Sequence, residues 1–180
     1  GGEDVGWLGC LDWLLDCQQQ DVHPFTSVAP GGWGWTDLSG AVPDADDTAG
    51  ALLALATLRN QSLAADVPRI DEAARLGFRW LLSLQNRDGG WPTFCRGWGA
   101  LPFDRSGVDL TAHALRALYA WTKTAPLVFV DWDRASKLGR RPTAAQTGQR
   151  VTQVFRRGLA FLEREQRADG SWTPLWFGEQ

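Results

Sequence analysis

Apolar residues recur at helical spacing along one stretch: Ile70, Ala73, Ala74, Gly77, Trp80, Leu81 and Leu84 fall at i, i+3, i+4, i+7, i+10, i+11 and i+14. Residues three and four apart share a face at 3.6 residues per turn, so the spacing predicts an amphipathic helix with one buried stripe. The segments 46–58 and 109–121 are rich in Ala and Leu and apolar nearly all round, which predicts inner helices covered by outer ones. The Asp-Gly pairs 88–89 and 169–170 are expected to end their helices, because glycine accepts the left-handed backbone of a C-terminal cap. From Lys123 to Gln146 the periodicity is lost, and the apolar run Leu127-Val128-Phe129-Val130 reads as the buried anchor of a surface loop.

The helical pattern repeats. Residues 73–91 align without gaps on 154–172, pairing Gly77 with Gly158, Leu81 with Leu162, Gln85 with Gln166, Asp88 with Asp169, Gly89 with Gly170 and Trp91 with Trp172. A looser third copy carries Trp13, Leu14, Leu15 and Gln18, then an insertion with His23, Pro24 and Pro30, then Gly31, Gly32 and Trp33. A second unit lies between the Gly-Trp elements, where Asp46 to Leu55 aligns with Asp109 to Leu118. Outer helix, Gly-Trp loop and Asp-started inner helix thus alternate, the signature of a helical-repeat architecture. A tryptophan reused at one position in every repeat serves to join neighbouring repeats, so Trp33, Trp91 and Trp172 are read as structural; Trp35, Phe94 and Trp98 lie outside the template.

The composition removes several function classes. A chain of 180 residues with 44% apolar and 22% charged residues is an ordinary globular domain. A net charge of −3 without a Lys/Arg block argues against a nucleic-acid surface. No apolar run reaches the ~18 residues of a membrane span. Cys10, Cys17 and Cys95 form no CxxC pair and stand apart from both histidines, so no metal site is expected. Cys10 and Cys17 would lie about 10 Å apart along one helix at ~1.5 Å rise per residue, too far for a disulfide, and all three are read as reduced thiols of an intracellular protein. The absence of methionine suggests a piece of something longer, ending inside a repeat.

One cluster exceeds what the scaffold requires. An Asp before a helix caps free N–H groups and complements the dipole, and Asp46 and Asp109 both fit that role. Where the second repeat has Gly107 and Leu110, however, the first has Asp44 and Asp47. Three carboxyls within four residues repel one another, so at least one is expected to keep a proton at neutral pH. His113 lies four residues after Asp109 and hence one turn along the same face. If the two inner helices run parallel, Asp46 and His113 approach each other. An acid site and a generously capped helix end both remain open on these residues alone.

The run Gly31-Gly32-Trp33-Gly34-Trp35, then Pro43-Asp44-Ala45-Asp46-Asp47-Thr48-Ala49, then Asp109-Leu110-Thr111-Ala112-His113, closely resembles the class II triterpene cyclases of squalene-hopene cyclase type. The resemblance covers most of the chain. It implies an all-α fold, a partial (α/α)6 barrel or double-layered toroid built from Gln-Trp repeats, with residues 1–180 as a fragment of one barrel domain. It makes Asp46 the proton donor to a terminal alkene, His113 its hydrogen-bond partner, and Asp44, Asp47 and Asp109 supporting carboxyls. Trp35 and Phe94 match aromatics that face passing carbocations, and Trp98 joins them as a candidate substrate-binding residue. No cofactor or metal is implied. The implied substrate is a polyprenyl hydrocarbon such as squalene, and the full-length protein is expected to be cytoplasmic and peripheral to a membrane through parts outside this chain, with a homodimer left open. Half a toroid cannot enclose a chamber, so the fragment alone is expected to be inactive. Two alternatives stand beside this: a non-catalytic toroid that binds a partner or lipid, and a class II diterpene cyclase. A protein prenyltransferase would need a zinc site around Cys95, and a thioester-domain toroid a Cys-Gly-Glu-Gln element; neither is present.

Overall fold

A computed structural model describes residues 4–96, 102–124 and 144–175. Among these residues, five helices account for nearly all regular structure: α1 (Asp4–Asp16), α2 (Ala45–Arg59), α3 (Val67–Leu84), α4 (Val108–Thr124) and α5 (Ala144–Glu165). Two-residue strands β1 (Trp91–Pro92) and β2 (Ser106–Gly107) pair antiparallel and pin the loop ahead of α4. The chain is all-α, a segment of a double-layered helical toroid.

The Ala/Leu segments form the inner layer. α2 and α4 lie side by side and parallel, with Asp46 near His113 at one end and the Trp121 indole donating to the Leu52 carbonyl (2.7 Å) further along. Small side chains let them approach closely: Ala45, Ala49, Ala51, Ala114 and Ala117 are all buried. The periodic stripe forms the outer layer. α3 runs antiparallel to α2, joined at its start by a bidentate Arg59–Asp71 pair at 2.6 and 3.0 Å, and it buries Ile70, Ala73, Ala74, Phe78 and Leu81. α5 packs likewise on α4.

The repeated residues build one socket twice. Trp33 donates through its indole to the Leu14 carbonyl (2.7 Å) and through its backbone to Thr48 Oγ1 (2.9 Å). Trp91 does the same toward Leu81 (2.8 Å) and Thr111 (3.0 Å). Each ring lies over a glycine of the next outer helix, where a Cβ would come within 2.5 Å of Trp33 at Gly77 and 3.2 Å of Trp91 at Gly158. Gln18 bridges the carbonyls of Gly31 (2.8 Å) and Ala73 (2.9 Å); Gln85 bridges those of Gly89 (2.8 Å) and Val154 (3.0 Å). Trp33 and Trp91 are therefore buried structural pins, as the repeat pattern indicated.

Three expectations need correction. Gly89 and Gly170 do not cap helices: α3 stops at Leu84 and α5 at Glu165. The carbonyls of Leu84 and Gln85 are taken instead by the Arg96 guanidinium, at 3.0 and 2.6 Å. The positive φ of Gly89 (101°) and Gly170 (84°) serves tight turns that end five residues past each helix, closed by N–H bonds to the carbonyls of Asn86 (3.1 Å) and Arg167 (2.9 Å). Second, the cap of α2 is Asp44, not Asp46, because only Asp44 has extended backbone and accepts from the Asp47 N–H. Third, the irregular segment is shorter than 123–146 at both ends, since α4 continues through Thr124 and α5 starts at Ala144. The run 127–130 lies outside the described residues. Cys10, Cys17 and Cys95 form no disulfide with one another.

Candidate functional site

The acid cluster sits where α2 begins. The Trp33 carbonyl accepts from the Asp44 N–H (2.9 Å), and the Thr93 carbonyl accepts from the Ala45 N–H (3.2 Å), so both Gly-Trp loops hold this helix end. Asp44 points inward and is 4% exposed. Its Oδ1 accepts from the Asp47 N–H (2.7 Å), closing the first turn.

Burial dominates the titration of Asp44. Loss of solvation pushes its carboxyl up to about 9, reinforced by a carboxyl–carboxyl hydrogen bond with Asp47 and by the charges of Asp47 and Asp46; the Asp47 N–H opposes the shift. The sequence called for at least one carboxyl of this cluster to keep a proton, and burial favours the neutral form of Asp44.

Asp46 sits one residue inside α2 and projects the other way. Its side chain is 67% exposed, and Oδ1 lies 3.8 Å from His113 Nε2 on α4. This is contact across two parallel helices at a distance longer than a hydrogen bond. The residue of α2 equivalent to His113 is Gly50, where a Cβ would stand 3.8 Å from Nε2, at ordinary contact distance. Asp46, Asp47, Gly50 and His113 line an open cleft of ≈ 360 Å³, with Trp33 and Trp35 on its wall.

The aromatics extend from that wall. Trp35 is 73% exposed. Its ring meets Phe94 edge-on with centroids 6.5 Å apart, and Phe94 meets Phe103 edge-on at 5.0 Å. Phe103 escaped sequence reasoning: it lies in the unrepeated loop between Trp91 and Asp109, where no periodicity marks it. Asp109 is on α4 one turn before His113 but lines a separate cleft with Val108, Ala112 and Trp172. Trp98 lies outside the described residues. Among the described residues, no group of three or more His, Cys, Asp or Glu side chains is placed to hold a metal ion, and no helix is long and apolar enough to cross a membrane.

The model of the squalene-hopene cyclase C-terminal domain matches residues 7–124, a span holding the acid cluster, Trp35, Phe94 and His113. The chain belongs to this family. Within it, the squalene-hopene cyclase of Alicyclobacillus acidocaldarius is 29% identical over 92% of this chain and 24% of its own length. The terpene cyclase-glycosyl transferase fusion protein of Humicola fuscoatra is 31% identical over 92% of this chain and 12% of its own length. The sporulenol synthase of Bacillus subtilis is 30% identical over 92% and 23%. This squalene-hopene cyclase-family chain thus spans about a quarter or less of the curated relatives named here.

Proposed function

We propose that this chain carries the acid centre of a proton-initiated isoprenoid cyclase acting on a polyprenyl hydrocarbon such as squalene. One observation supports it above the others: Asp46 and His113 reach from different helices to within 3.8 Å at a cleft walled by Trp35. In this reading the Asp46 carboxyl gives its proton to the terminal carbon of an alkene. The π pair becomes the new C–H bond, a tertiary cation forms at the neighbouring carbon, and carboxylate remains on the enzyme. His113 in its protonated form stabilises that carboxylate. Asp44, neutral behind it, keeps the cluster from accumulating a third negative charge.

An alkene is a very weak base, so the step requires a dry, preorganised site. The ring of Trp35 on the cleft wall, with Phe94 edge-on against it, offers the cation a negative π face while presenting no nucleophile. Neighbouring repeats of the full-length protein would close the cleft over its hydrocarbon. That substrate is drawn from lipid, which fits a cytoplasmic enzyme peripheral to a membrane.

The test is incubation of the full-length protein with squalene and, separately, geranylgeranyl diphosphate, with products read by mass spectrometry. Cyclised squalene that disappears in Asp46→Asn supports the reading, with a loss of about 10²–10⁴-fold for removal of a general acid. Cyclisation of the diphosphate alone moves the chain to the diterpene class. The exposure of Asp46 favours one rival, a non-catalytic toroid with aspartates as caps, and in that case Asp46→Asn leaves function intact.

A further inference from the structure

The second Gly-Trp loop makes two contacts with the acid site that its own tryptophan socket does not require. Two residues past Trp91, the Thr93 carbonyl accepts the Ala45 N–H in the first turn of α2 (3.2 Å). An N–H at that position has no acceptor within its own helix, and Ala45, the neighbour of Asp46, is buried. One residue further on, the Phe94 ring meets both Trp35 and Phe103 edge-on, with centroids 6.5 and 5.0 Å away. The pairing of β1 with β2 stops at Pro92, so the strand fixes neither contact. What secures the far end of this stretch is Arg96, whose guanidinium donates to the carbonyls of Leu84 (3.0 Å) and Gln85 (2.6 Å) where α3 ends. The repeat does without such an anchor: five residues after Trp33 the first loop has Leu38, 71% exposed, where the second has Arg96 five residues after Trp91. Tryptophan, glutamine, glycine and threonine recur in both sockets; the arginine does not. Like the surplus carboxyls of α2 it is an addition to the scaffold, and it stands on the loop that touches the start of that helix.

We propose that Arg96 is a positioning residue for the acid centre. By tying residues 91–96 to the end of α3 it sets the Thr93 carbonyl against the start of α2, and so Asp46 against His113, and it sets Phe94 in the aromatic wall. The catalytic consequence rests on the reading of Asp46 as the acid; the anchoring itself does not. Misplacing a reacting group by about 1 Å costs on the order of 10²-fold in rate. A loop released at Arg96 shifts Asp46 and Phe94 together, so turnover and product pattern change together. KM, set by contacts along the whole hydrocarbon, holds. The rival is that Arg96 only caps α3. Arg157 separates the two, because it donates from α5 to the next two carbonyls of the same turn, those of Asn86 (2.6 Å) and Arg87 (3.1 Å), with bonds matching those of Arg96 in number and length.

The test compares Arg96→Met with Arg157→Met in the full-length protein, since methionine keeps an unbranched stem and removes every donor. Hydrogen exchange is read at the Ala45 amide, with the Trp33 and Trp91 amides reporting that the fold is intact, and squalene turnover is read as kcat, KM and product pattern. Arg96→Met is expected to speed exchange at Ala45 about tenfold or more. It is also expected to lower kcat about 10–100-fold at a KM within about threefold of the parent, with products shifted toward incompletely cyclised ones. Arg157→Met leaves all of these at the parent values, and Arg96→Lys, which keeps a charged donor, recovers most of the rate. Should Arg96→Met not fold, Arg96→Gln, whose shorter side chain falls short of the carbonyls, is read in the same way. Unchanged exchange at Ala45, or two methionine variants that behave alike, overturns the proposal. If the parent turns over no squalene, the acid reading fails by itself, and Ala45 exchange alone still upholds or overturns the anchor.

Discussion

Asp44→Asn isolates the proton stored at the start of α2. In the folded chain the Asp44 carboxyl is pushed from 3.8 up to about 9, so between these values the native state binds a proton that the unfolded state has released. Stability from this group is fully present below 3.8 and is lost as pH rises toward 9. At 1.36 kcal/mol per unit, the loss accumulated by pH 7 is about 4 kcal/mol. Asparagine resembles the protonated acid in shape, keeps an oxygen to accept the Asp47 N–H, and has no charge to desolvate. The variant is therefore expected to be more stable than the parent at neutral pH, by a margin that widens as pH rises. Urea unfolding of both proteins from pH 5 to pH 8 measures that margin directly. Glu72 and Asp169 are held below their ordinary values of 4.5 and 3.8 by Arg75 and by Ser171, so what they contribute is lost only in more acid solution; Cys17 is pushed above 9.0, beyond the other end of the window. A difference that stays flat across the window, or one favouring the parent, would show that Asp44 is ionised in the native state and refute the reasoning.

Gln85→Ala removes two bonds to buried carbonyls and is expected to cost about 2–4 kcal/mol in urea unfolding, whereas Gln166→Ala, with one exposed bond, costs about 0.5 kcal/mol or less. Equal costs would mean the glutamines do not bridge repeats. Gly77→Leu places atoms where the Trp33 ring lies and is expected to lower stability by about 3 kcal/mol or more, with the near-ultraviolet tryptophan signal altered. In the full-length protein, Trp35→Leu and Phe103→Leu are each expected to lower turnover of squalene and shift products toward incompletely cyclised ones, read by mass spectrometry; unaltered products from both would remove the aromatic wall from the mechanism.

The helical layers were legible because packing against two kinds of neighbour leaves two kinds of pattern: an apolar stripe on α3 and all-round Ala/Leu on α2 and α4. The tryptophan sockets were legible because the same contacts are made more than once, so the same residues recur at the same spacing. Helix ends were less so. A glycine near a helix terminus can belong to the cap or to the turn after it, and the choice fell to Arg96, a residue twelve positions beyond the end of α3 that takes its last carbonyls.

For the site, the sequence by itself determined the surplus of acid: Asp44 and Asp47 stand where the other repeat has Gly107 and Leu110. Only the tertiary structure decided which carboxyl is buried and so favoured in its neutral form, because desolvation depends on what covers a group, and the cover over Asp44 comes from loops distant in sequence. The meeting of Asp46 with His113 has the same origin. Spacing put each near the start of a helix, but the parallel packing of α2 and α4 set the 3.8 Å between them.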